Sequence, residues 1–149
     1  MKHKLMDNNI SQLDNKNVIN FLKKNPILTN HKKVEEFEKK WSQWLGVKYS
    51  VFVNSGSAAN LLSISYLRTL YKNGEIIVPT ITWVSDITSV LYCNFKPVFV
   101  DINLDNLAAN EENIKKAINK NTRAIFITHV LGLNGLTDKI LNIVKKKKI

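Results

Sequence analysis

The sequence predicts an α/β fold: three layers, α/β/α, around a mostly parallel sheet. Helical and strand periods alternate along the chain. The strands read as unbroken apolar runs, Ile76-Ile77-Val78, Val98-Phe99-Val100 and Ala124-Ile125-Phe126-Ile127, as strands buried on both faces do. Strand followed by helix, four times over, implies right-handed crossovers between parallel neighbours.

The elements follow in order. Val18, Ile19 and Leu22 give helical spacing within 15–25, ended by Pro26. In 31–45, Val34, Phe37, Trp41 and Leu45 share one face, and Gly46 stands where a C-cap glycine is expected. A strand is predicted over 49–53, then the turn Asn54-Ser55-Gly56-Ser57, then an apolar helix over 58–71 closed by Asn73-Gly74. A strand at 76–78 ends at Pro79, a helix covers 84–92, and a strand at 97–100 precedes Asp101. Asn110 is a good N-cap for a helix over 111–120, with Glu111 and Glu112 at the positive end of its dipole. A strand at 124–128 and a helix at 136–147 follow, the lysines of the latter at its favoured C-terminal end. Ile149 is positioned to open another strand, so the sequence is expected to continue past it.

Composition narrows the class. The 149 residues are 44% hydrophobic and 23% charged, with 5 Gly and 3 Pro, which excludes collagen-like and disordered classes. The uncharged stretch 49–67 carries a polar centre, Asn54-Ser55-Gly56-Ser57 and Asn60, which argues against a membrane span. Met1–Asn9 has lysines without an apolar run behind them, unlike a secretory signal. A single cysteine allows no internal disulfide, and a reducing cytoplasm is the default location. The net charge of +10 comes from 22 basic and 12 acidic residues. Only Arg68 and Arg123 among the basic residues are arginine, and scattered lysine solvates surface more often than it reads nucleic acid.

In open α/β sheets ligands sit beyond the carboxyl ends of the strands, here at 54–59, 79–83, 101–104 and 129–135. The first offers free backbone amides and two serine hydroxyls at a helix start, an anion site, with Gly56 allowing close approach and Ser57 donating its hydroxyl. A plain serine cap with a turn glycine is the rival reading. Neither the dinucleotide fingerprint nor a Walker loop is present. Trp83 is placed either to stack a planar ring or to pack between helix and sheet. His129 reads as a structural residue before an acid–base one, and Cys93 as a small buried hydrophobe. Three histidines and one cysteine without clustering give no metal site.

Several blocks stand in order: Val34-Glu35-Glu36-Phe37-Glu38, Leu45-Gly46-Val47, Val53-Asn54-Ser55-Gly56-Ser57-Ala58-Ala59-Asn60-Leu61, Val78-Pro79-Thr80-Ile81-Thr82-Trp83-Val84-Ser85, Lys96-Pro97-Val98-Phe99-Val100-Asp101-Ile102 and Thr128-His129-Val130-Leu131-Gly132. Together, from about Asn17 to the last residue, they resemble the DegT/StrS-type sugar aminotransferases. The resemblance implies an aspartate-aminotransferase fold (fold type I), with 1–30 as an N-terminal arm and first helix and 31–149 as an incomplete part of the large domain that binds pyridoxal 5'-phosphate. It implies that Gly56, Ser57 and Ala58 hold the cofactor phosphate and that Trp83 stacks on the pyridine ring. It also implies amination of a nucleotide-linked keto-sugar, for a surface polysaccharide, with glutamate as amino donor, by a homodimer. The family's ring-nitrogen aspartate and cofactor-bearing lysine fall beyond these residues, so no catalytic residue is assigned and the chain alone is expected to be inactive. A sugar 3-dehydratase, where histidine replaces that lysine, is the alternative toward which the wording of 53–62 leans. A non-catalytic module binding a phosphate-bearing ligand or an acidic partner is the alternative of another class.

Overall fold

The computed structural model describes residues 8–147 and residue 149. Most of the Met1–Asn9 reading, and Lys148 of the lysine run, therefore lie outside the described residues. The chain divides into two units, Met1–Phe52 and Val53–Ile149.

In the first unit, helix α1 (Gln12–Leu22) starts earlier than the apolar spacing predicts, because Ser11 and Asp14 form a capping box. The Asp14 amide donates to Ser11 Oγ at 3.2 Å, and the Ser11 amide donates to Asp14 Oδ2 at 2.8 Å. Helix α2 (Lys32–Leu45) ends at Gly46, whose left-handed φ of 74° is the conformation a glycine cap supplies. Phe37 stacks with Trp41 at 5.8 Å between ring centroids and meets Phe52 edge-on at 5.4 Å.

The strand expected over 49–53 does not form: none of these residues enters a ladder. Side chains of α2 hold the segment instead, as Glu38 Oε1 accepts from the Phe52 amide at 2.8 Å and Ser42 Oγ meets Ser50 Oγ at 2.8 Å. Local apolar content was right for a strand, but a strand also needs a neighbour to pair with.

The second unit carries the sheet. Its elements are α3 (Gly56–Leu70), β1 (Glu75–Pro79), α4 (Val84–Tyr92), β2 (Lys96–Val100), α5 (Glu111–Ala117), β3 (Thr122–Ile125), a 3-10 turn (Val130–Gly132) and α6 (Asp138–Lys147). The three strands are parallel in the order β2-β1-β3. Ile77, at the centre, lies opposite Val98 on one side and Ile125 on the other.

Alternation along β1 divides the core. Ile76 and Val78 pack with Ile64 of α3 and Val90 of α4, joined by Phe95 and Cys93. Ile77 turns the other way and packs with Ile114 of α5 and Ile140 of α6. The central strand β1 is therefore covered on both faces, while Phe99 of the edge strand β2 stays half-exposed, and the fold is the expected three-layer α/β/α. Burying each such Ile or Val contributes roughly 1.5–3 kcal/mol. Cys93 belongs to this core, with Ser65 Oγ 3.4 Å from its sulfur.

Two of the boundary shifts share one cause. Helix α5 stops at Ala117 rather than running to Lys120, because Ile118 turns extended and Asn119 builds a turn. The Asn119 amide donates to Thr122 Oγ1 at 3.0 Å, and Asn119 Nδ2 donates to Glu75 Oε2 at 2.7 Å. That turn lets β3 begin at Thr122, two residues early. Ile149 joins no ladder; its amide donates to the Val144 carbonyl at 3.2 Å. Among the described residues no helix is long and apolar enough to cross a membrane.

Candidate functional site

The carboxyl ends of β1 and β3, with the starts of α3 and α4, form the site. Ser55 is the N-cap of α3, and its Oγ accepts from the Ala58 amide at 3.2 Å. The helix thus begins two residues before the sequence expectation, and Gly56 and Ser57 form its first turn. Their amides have no helical acceptor by construction, and neither they nor the Ser57 hydroxyl makes a hydrogen bond among the described residues. No acid stands in this first turn, so the positive end of the helix dipole is uncompensated.

Ala58 differs from its two neighbours. Its amide is already engaged by Ser55, so the unengaged donors are the Gly56 and Ser57 amides and the Ser57 hydroxyl. Gly56 has no left-handed φ, and a Cβ built on it meets nothing within 4 Å. The glycine is not demanded by backbone conformation; it leaves the surface above the first turn open.

Trp83 is the N-cap of α4 and 70% exposed. An indole packed between helix and sheet would be covered; this one presents its face to solvent. The two helix starts are neighbours, because Asn60 Nδ2 on α3 donates to Ser85 Oγ at 3.1 Å. Ser57, Ala58, Leu61, Ser85, Thr88, Ser89 and Tyr92 line a cleft of about 210 Å³ between α3 and α4.

His129 follows β3 and is exposed, but its ring is committed: Nδ1 accepts from the Gly135 amide at 3.0 Å. That bond closes the 129–135 loop. At the end of β2, Asp101 Oδ1 accepts from the amide of Ile102 at 2.8 Å, a local cap. Among the described residues no group of three or more His, Cys, Asp or Glu is arranged to hold a metal ion.

The family model described as the DegT/DnrJ/EryC1/StrS aminotransferase family matches residues 8–149. The chain belongs to that family. It is 34% identical over 101 residues to a GDP-perosamine synthase of Vibrio cholerae, covering 68% of this chain and 27% of that protein. The solved structure of an E. coli GDP-4-keto-6-deoxy-D-mannose-3-dehydratase with bound hydrated PLP has a TM-score of 0.91 at 30% identity, over 99% of this chain and 39% of that one. Helicobacter pylori PseC, an aminotransferase involved in the biosynthesis of pseudoaminic acid, has a TM-score of 0.81 at 27% identity, over 93% of this chain and 37% of that one. The chain spans about a third of the length of the curated relatives it matches.

In this DegT-family chain, sequence reasoning missed a polar network beneath the two helix starts. Asp86, in the first turn of α4, is 5% exposed and bonded to Asn60, Thr82 and Thr128. An acid in a first helical turn reads as an ordinary dipole partner, and its partners lie 26, 4 and 42 residues away.

Proposed function

We propose that this chain supplies the phosphate cup and ring platform of a pyridoxal-phosphate-dependent enzyme acting on a nucleotide-linked keto-sugar. The main reading is an aminotransferase with glutamate as amino donor, working as a cytoplasmic homodimer in amino-sugar supply for a surface polysaccharide. Residues 31–149 form the N-terminal part of its cofactor-binding large domain, with 1–30 as an arm.

The observation that carries the reading is the pairing of unengaged first-turn donors on α3 with an uncovered indole at the neighbouring start of α4. The donor chemistry suits a phosphate ester: two amides and a hydroxyl at a positive helix end, with no acid in that helix's first turn. Gly56 and Ser57 hold the phosphate, and Ala58 stands at the cup with its amide on Ser55. Trp83 lies against the ring, where an aromatic pair contributes roughly 1 kcal/mol beyond area burial. Bound pyridoxal phosphate supplies an electron sink that weakens bonds at the carbon joined to it.

The second reading, a sugar 3-dehydratase, is favoured by the run Val53–Leu62 and by the 34% identity over 128 residues to a GDP-4-keto-6-deoxy-D-mannose 3-dehydratase of Yersinia pseudotuberculosis. Both readings need the same cup and platform.

Titrating the 149-residue chain with pyridoxal phosphate, and separately with pyridoxal, tests the shared part. Tryptophan emission should be quenched at lower concentration by the phosphate ester, and inorganic phosphate should compete. Equal response to both compounds would remove the cup from the reading. Retention on a polyanion resin with a steep salt dependence would point to the lysines instead.

A further inference from the structure

Residues in or directly beside three of the four segments at the carboxyl end of the sheet converge on one buried carboxylate. Asp86 Oδ1 accepts from Asn60 Nδ2 at 2.5 Å, and Asn60 lies one turn beyond Ser57 on α3. Asp86 Oδ2 accepts from Thr82 Oγ1, on the residue before Trp83. It also accepts from Thr128 Oγ1 at 3.3 Å, on the residue before His129. The two threonine hydroxyls meet each other at 2.6 Å. Among the described residues no Lys, Arg or His pairs with Asp86.

A carboxylate buried among neutral donors is a costly group to keep. Each of its partners also has a second contact. Asn60 Nδ2 also donates to Ser85 Oγ at 3.1 Å, and Thr82 and Thr128 retain each other. Deleting the carboxylate leaves each of the three one contact, but takes the acceptor from one Asn60 N–H and one threonine hydroxyl. What it adds is geometry: one rigid acceptor fixes the start of α3, the Trp83 turn and the end of β3 relative to one another.

We infer that Asp86 is a positioning residue that sets the first turn of α3 and the Trp83 turn at the separation a planar, phosphate-bearing ligand requires. The inference rests on the cofactor reading above. Asp86 acts through Ser57 and Trp83 and does not itself touch the ligand.

The test uses the chain labelled with 5-fluorotryptophan, which gives resonances for Trp41, Trp44 and Trp83, the last assigned with Trp83→Phe. In ligand-free Asp86→Ala the Trp83 line should move and broaden while the Trp41 and Trp44 lines stay. The thermal midpoint should fall, because donors lose their acceptor, and the dissociation constant for pyridoxal phosphate should increase about tenfold. Thr82→Val, which is isosteric, should reproduce the displaced Trp83 line and decides the matter should Asp86→Ala not fold. A lower midpoint with an unmoved Trp83 line and unchanged relative affinity would make Asp86 a plain structural residue and overturn the inference. Failure of the wild-type chain to bind pyridoxal phosphate would sink the cofactor reading alone. The ligand-free Trp83 line then decides on Asp86: displaced upholds the coupling, unmoved overturns it.

Discussion

The Gly135 amide donates to His129 Nδ1 at 3.0 Å, so an exposed histidine at the end of β3 is fixed in one tautomer. With Nδ1 acting as acceptor, the neutral ring carries its proton on Nε2. Gly135 is itself confined, since a Cβ there would lie 2.8 Å from the Thr128 carbonyl oxygen. Ring and glycine together shape the 129–135 loop.

His129→Ala should therefore loosen that loop without unfolding the sheet. A hydrogen bond of this kind contributes about 1 kcal/mol. Hydrogen exchange at residues 130–135 should accelerate several-fold while β1 amides keep their protection. Unchanged exchange in the loop would remove the histidine from its role as a brace.

Ile77 is fully buried at the centre of the sheet, between Val98 and Ile125. Truncation to alanine leaves a cavity beneath α5 and α6, and should cost about 2–5 kcal/mol. Trp83→Ala, at an exposed position, should change stability by no more than about 0.5 kcal/mol. Denaturant midpoints of the two variants give the comparison. A large loss from Trp83→Ala would place the indole in the core.

Acid should weaken the second unit through Glu75. The hydrogen bond from Asn119 holds this carboxyl below the ordinary glutamate range, with help from Lys96 and against the effect of burial. A depressed carboxyl stabilises the fold above its unfolded-state value, and that contribution is lost as pH falls through the folded-state value. Stability should thus decline on acidification from about pH 5 downward. Asn119→Ala should make the decline shallower, because the folded-state value then approaches the unfolded one. Urea titrations at a series of pH values report the slope, and an unaltered slope in the variant would exclude Asn119 as the cause.

The sheet was legible because Ile76-Ile77-Val78 and Ala124–Ile127 are short apolar runs between turn signals, as covered parallel strands are. The start of α3 was legible because Ser-Gly-Ser before an apolar helix is a local signature. Residues 49–53 misled, since their pattern suits a strand but pairing depends on a partner that the pattern does not name. The ends of α5 and β3 turned on one side chain, Asn119, reaching Glu75 across 44 residues. Asp86 was invisible as a hub for the same reason: its bond to Thr128 joins segments 42 residues apart. The engagement of the Ala58 amide depended on which serine caps the helix, and Ser55 and Ser57 are alike in the sequence.

The account stands most directly on Ser57. It occupies the first turn of α3, with its hydroxyl and amide unengaged and no acid in that turn. An aspartate in a first turn is favoured by the helix dipole, so Ser57→Asp should melt within a few degrees of the parent chain. It should at the same time set a negative charge against the phosphate, replacing a charge-assisted hydrogen bond with repulsion. The measurement is the affinity for pyridoxal phosphate beside the thermal midpoint of the same preparation. The account predicts an unchanged midpoint with binding weakened at least tenfold. A variant that melts normally and binds pyridoxal phosphate as tightly as the parent would contradict it.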